Sequence, residues 1–188
     1  MSLPRRRFLK LGVISGALFA TGGVGLAWFR VGYHLEPGES PIALTTKELC
    51  VVRAIVRALF PADGDLPSGE SLGLVMRVDE EVWAADREVA TDLAWGLQLL
   101  EHAPRMYGMS GRLTGMSAAD ADAYLRKVLL GSNETLRQVA IAIRQLVTLL
   151  YYANAATWKA IGYDGPFISQ AVPPDTHVQY ATLTRGKP

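Results

Sequence analysis

The sequence predicts an all-α fold: a small helical bundle of about five helices behind an N-terminal signal or anchor helix, with an irregular C-terminal arm. Three observations predict it. Apolar residues recur at three- and four-residue spacing through most of residues 45–154. Helix-starting and helix-stopping residues bracket each such stretch. No alternating run long enough for a strand occurs, and no internal repeat.

The elements follow in chain order. Residues 1–30 read as a leader. Arg5, Arg6, Arg7 and Lys10 precede an apolar run over residues 11–29 that is rich in Gly and Ala. Such a mildly hydrophobic run suits a secretory signal. At 19 residues it also has about the length that spans a bilayer core. Leu26-Ala27-Trp28-Phe29-Arg30 is a poor Ala-x-Ala cleavage site, so removal of the leader and its retention as an anchor both stay open. Positive charge ahead of the run places the N-terminus in the cytoplasm and the rest outside. Residues 31–44, with Pro37, Gly38, Ser40 and Pro41, read as an extended linker.

Residues 45–168 form the helical domain. Thr45-Thr46-Lys47-Glu48 is a capping box. The helix it opens runs to about residue 60, with Leu49, Val52, Val56, Leu59 and Phe60 on one apolar face and Arg53 and Arg57 among them. Pro61 and the turn Asp63-Gly64-Asp65-Leu66-Pro67 end it. A second helix covers about residues 72–85. A third covers 86–102, with Val89, Leu93, Leu97 and Leu100 on one stripe. Residues 104–115 hold four Gly or Pro breakers and read as a loop. Ser117 caps a helix that ends at Gly131 as C-cap. Asn133 caps the longest helix, which reaches about residue 154 and is apolar enough to be the central, buried one. Residues 169–188 form an irregular tail, read as an arm laid on something else.

Composition excludes several functions. Net charge is +1, but residues 1–30 hold five basic groups and no acid. The remaining 14 basic and 18 acidic residues leave residues 31–188 at about −4, which is no nucleic-acid interface. Cys50 is the single cysteine. It rules out an internal disulfide and a Cys-ligated zinc or iron–sulfur site within the chain. The thiol is either a buried small hydrophobe or a candidate intersubunit thiol. His34, His102 and His177 show no metal-ligand spacing, so no metal site is expected. No Gly-x-Ser-x-Gly elbow, no Gly-x-Gly-x-x-Gly after a strand and no Cys-x-x-Cys-His signature is present. No catalytic residue and no cofactor of this chain's own is assigned. Asp63-Gly64-Asp65 reads as a turn rather than a calcium loop, and Asp79-Glu80-Glu81 as a solvated helix face. Trp83 and Trp95 read as core or interface. Tyr151, Tyr152, Trp158, Tyr163 and Phe167 form a dense aromatic patch, fit equally for core or for interface anchors.

Pro4-Arg5-Arg6-Arg7-Phe8-Leu9-Lys10 resembles the twin-arginine export motif, with Arg5, Arg6, Phe8, Leu9 and Lys10 in place and Pro4 where Ser or Thr is usual. The run Tyr151-Tyr152-Ala153-Asn154-Ala155-Ala156-Thr157-Trp158-Lys159-Ala160-Ile161-Gly162-Tyr163-Asp164-Gly165-Pro166 looks like a family hallmark. With Ala54-Ile55, Ala58-Leu59-Phe60-Pro61-Ala62-Asp63-Gly64 and the leader, it resembles the gluconate 2-dehydrogenase subunit 3 family. The resemblance covers about residues 45–168 and is most specific over 158–166.

That resemblance implies a non-catalytic small subunit of a periplasmic, membrane-associated sugar or alcohol dehydrogenase. The implied partner is a large subunit of the glucose–methanol–choline type that holds FAD and is exported with this chain through the twin-arginine translocase. A cytochrome c subunit commonly takes the electrons in such complexes. Tyr152, Trp158, Ile161, Gly162, Tyr163, Asp164, Gly165 and Pro166 become the expected partner contacts. Gly162 and Gly165 allow backbone conformations closed to other residues, and Asp164-Gly165-Pro166 is a turn-forming run. The alternative is a free-standing periplasmic helical protein that holds a ligand in its aromatic patch. An enzyme built on His102 or His177 is the last rival.

Overall fold

Thr45 does what its spacing to Glu48 predicts. In the computed structural model, which describes residues 32–165, the Thr45 hydroxyl accepts from the Glu48 N–H at 3.3 Å. The Glu48 carboxylate accepts from the Thr45 N–H at 2.8 Å. This reciprocal pair starts α1, Thr46–Leu59. The helices that follow are α2 (Leu74–Ala84), α3 (Arg87–His102), α4 (Ala118–Leu130), α5 (Glu134–Tyr152) and the single-turn α6 (Ala155–Trp158). Short 3-10 turns lie at Pro104–Tyr107, Leu113–Gly115 and Lys159–Ile161. There is no β-strand among the described residues, and the all-α bundle is as the spacing predicts.

Ser117 and Asn133 cap α4 and α5, accepting from the N–H groups of Asp120 and Leu136, each at 3.1 Å. Gly131 does end α4, but in extended backbone with φ −73° rather than the left-handed C-cap conformation. It is glycine for space. A Cβ there would lie 2.9 Å from the Tyr107 ring and 3.0 Å from the Lys127 carbonyl. The expected loop over 104–115 is two 3-10 turns, and Leu113 is fully buried within it.

The central helix is α1, not the longest one. Its buried residues include Leu49, Cys50, Val51, Val52, Arg53, Ile55 and Val56, which go nearly all the way round the helix. Helices α2, α3 and α4 all pack on it. Helix α5 packs on the same three helices but buries only the stripe Leu136, Ala140, Ile143, Val147 and Tyr151. The opposite side carries Leu149, exposed to 68%. Likewise Leu97 and Leu100 of α3 are fully buried, whereas Val89, on the same predicted stripe, is 57% exposed.

Residues 32–44 contain no helix, but they are fastened across α1. The buried Arg53 pairs with Glu39 and donates to the His34 carbonyl at 3.5 Å. Asp79 of α2 is 0% exposed, not solvated. Its carboxylate accepts the backbone N–H groups of Ile42, Ala43 and Leu44 at 2.7–3.1 Å. Three donors converging on one carboxylate compensate its desolvation. Glu80 and Glu81 do lie at the surface, each paired with Arg77.

Candidate functional site

The aromatic run predicted for contact lies where α5 ends. Tyr151 turns inward. It is 2% exposed, stacks on Phe60 at 4.1 Å and donates to the Pro67 carbonyl at 2.7 Å. Tyr152 turns outward at 40% exposure. The pair therefore divides between core and surface.

Beyond Tyr152 the chain bends by 86° into the 155–161 segment. Asn154 makes this corner. Its side-chain oxygen accepts from the Ala156 N–H at 3.0 Å and starts α6. Its carbonyl accepts from the Thr157 hydroxyl at 2.8 Å. Gly162 ends the segment with φ +71°, a conformation open mainly to glycine. The Tyr163 N–H then reaches the Trp158 carbonyl at 2.9 Å, and the Gly162 N–H the Lys159 carbonyl at 3.2 Å. This is a Schellman motif, and its usual apolar contact is present. The Trp158 and Tyr163 rings meet edge to face at 5.2 Å. The Trp158 indole N–H donates to the Tyr152 carbonyl at 2.9 Å, tying the turn back to α5. Gly165, with φ +107°, lies against the indole, and a Cβ there would be 3.4 Å from it.

Hence Tyr152, Trp158, Ile161, Gly162, Tyr163, Asp164 and Gly165 are brought together in one turn. Ile161 is 47% and Tyr163 39% exposed, and Trp158 is half-covered. Pro166 and the leader residues Arg5, Arg6, Phe8, Leu9 and Lys10 lie outside the described residues. Cys50 is elsewhere. Its thiol is buried under the 32–44 segment and donates to the His34 carbonyl at 3.3 Å.

Sequence reasoning missed a second polar assembly. Glu101 is 0% exposed and accepts from the Tyr33 hydroxyl at 2.7 Å, the Thr114 hydroxyl at 2.7 Å and the Thr114 N–H at 3.0 Å. Arg112 sits over the Tyr33 ring at 4.9 Å and donates to its hydroxyl at 3.0 Å. Burial raises the Tyr33 pKa, and the hydrogen bond to Glu101 raises it further. Lys47 Nζ lies 2.8 Å from His102 Nε2, so the ring accepts the lysine proton as neutral imidazole. Burial, then the charges of Lys47 and Arg112, push the His102 pKa down to about 4. The carboxylate is saturated with donors and closed to solvent, which makes this assembly a fastening rather than an open site. Its only sequence signal is an acid followed by a histidine at the end of an apolar helix.

Trp83 and Trp95 are 69% and 50% exposed, so neither is core. Among the described residues no group of three His, Cys, Asp or Glu side chains is placed to hold a metal ion. No single helix among them is long and apolar enough to cross a membrane. Comparison with protein-family models, curated proteins and solved structures finds no match for this chain.

Proposed function

We propose that this chain is a non-catalytic small subunit that escorts an FAD-containing dehydrogenase of the glucose–methanol–choline type through the twin-arginine pathway and stabilises it in the periplasm. One structural observation supports this reading above the others. The 152–165 turn presents Tyr152, Ile161 and Tyr163 to solvent while the Schellman hydrogen bonds and the Trp158 indole hold its backbone in one conformation. Apolar side chains fixed before binding lose little entropy on docking, and aromatics with a polar tip are common interface anchors. The leader motif and the resemblance over 158–166 supply the pathway and the kind of partner. FAD belongs to the partner in this reading, and a cytochrome c subunit accepts its electrons.

The test is to recover the tagged full chain from its native membranes in mild detergent and record an absorbance spectrum. A larger, yellow flavoprotein is expected to come with it. Ile161→Asp is expected to lower the recovered flavin at least about tenfold, the equivalent of about 1.4 kcal/mol of contact. Trp158→Ala is expected to do the same with little change in far-UV circular dichroism, because Trp158 lies in a helix of only four residues. A colourless chain recovered alone overturns the proposal and leaves the free-standing binding protein as the better reading.

A further inference from the structure

A groove of about 740 Å³ runs between α1, α4 and α5. Leu59, Phe60, Leu125 and Leu129 give it an apolar floor. Its walls carry Arg57, Arg126 and Arg144 against a single acid, Asp122. Tyr152 also lines it.

The described chain ends near Tyr152. Gly165 lies against the Trp158 ring, and the Trp158 indole is bonded to the Tyr152 carbonyl. The remaining chain, residues 166–188, thus continues from a point two contacts away from the groove-lining Tyr152. Its length is ample. The groove follows α4 from Ala118 to Leu129, about 16 Å at the rise of an α-helix. About five extended residues cover that distance.

The chemistry of the first part of the arm also fits. Residues 166–174 read Pro-Phe-Ile-Ser-Gln-Ala-Val-Pro-Pro and carry no charge, so none is desolvated over the leucine floor. An extended segment offers a row of carbonyl acceptors to Arg144 and to the remaining N–H groups of Arg57 and Arg126, which are paired with Glu70 and Asp122. Pro173 and Pro174 lack N–H groups and so bring fewer donors that would need partners in such a site. Tethering sets an effective concentration on the order of millimolar, which fills even a weak site.

We infer that the α1–α4–α5 groove is the seat of this chain's own C-terminal arm, entered by Phe167, Ile168 and Val172. The arm then shields the groove and leaves the neighbouring turn free for a partner.

The test uses the full chain in mild detergent with Cys50→Ala as background. Ala119→Cys places a thiol on the groove wall, and Thr91→Cys places one on the exposed surface of α3, away from it. Maleimide labelling of the groove thiol is expected to be about tenfold slower than that of the α3 thiol. Phe167→Asp with Ile168→Asp in the same chain is expected to remove the difference and leave α3 labelling unchanged. Should Ala119→Cys disturb folding by circular dichroism, Thr148→Cys on the facing wall replaces it. A groove thiol whose labelling ignores the arm substitutions overturns the inference. Protection that appears only when a larger chain co-purifies, and persists with the arm substituted, overturns it in favour of the partner as occupant.

Discussion

Asp79 shows how one residue ties a segment to the bundle. Its carboxylate meets three consecutive backbone N–H groups from the 42–44 stretch, and the innermost, that of Leu44, is buried. Removing the acceptor leaves the buried Leu44 N–H unpaired, which is dearer than the net worth of the bond itself. Asp79→Ala is therefore expected to destabilise the fold by about 2–4 kcal/mol in urea denaturation. Asp79→Asn retains an acceptor and is expected to lose less. Equal, small losses for both would show that water replaces the carboxylate without penalty. Arg53 plays the matching part on α1, where its guanidinium is held by Glu39 and the His34 carbonyl.

At the scale of elements, close approach decides where helices cross. Gly96 lies in the middle of α3, where glycine costs about 1 kcal/mol against alanine. The compensation is its contact with α5. A Cβ at Gly96 would stand 2.9 Å from Cγ1 of Val139, and a β-branched side chain has few rotamers by which to give way. Gly96→Leu is expected to force the two helices apart and cost about 1–3 kcal/mol despite its better helix propensity. Val139→Ala in the same chain should recover part of that loss, since the two sites share one contact. Simple additivity in urea titrations would place the strain elsewhere. The 155–165 segment follows the same rule of local geometry. Asn154 starts it, Gly162 stops it, and the edge-to-face ring pair fills the inside of the turn.

Across the whole molecule, the Glu101 assembly binds residue 33, α1, α3 and the 113–115 turn into one unit. His102 belongs to it and reports on it through pH. Its ordinary pKa of 6.5 falls to about 4 in the folded chain. Between those values the unfolded chain binds a proton that the folded chain does not. The His102 contribution to stability is thus full above pH 6.5, falls as pH drops toward 4 and levels off below. The ring is half-buried, so solvent screening reduces the effect to on the order of 1–2 kcal/mol. Thermal midpoints at pH 7.5 and 4.5 should therefore separate further in the native chain than in His102→Asn, whose amide can still accept from Lys47. Parallel shifts in the two proteins would assign the acid sensitivity to carboxylates alone.

Features that depend on neighbours three or four residues apart could be read directly from the residues. The Thr45, Ser117 and Asn133 caps, the bundle's five main helices and the glycines at Gly162 and Gly165 were all legible, because a cap bond or a positive φ is satisfied within one turn. Part of the candidate site was legible for the same reason. The single-turn α6 was not, since four residues carry no periodicity. The packing of the helices, not their local pattern, makes α1 central, turns Trp83 and Trp95 outward and buries Asp79 and Glu101. The partners of those acids lie 35 to 37 and 13 to 68 residues away. A side chain's burial depends on which elements meet over it, and an amphipathic pattern states that a face is covered without stating by what.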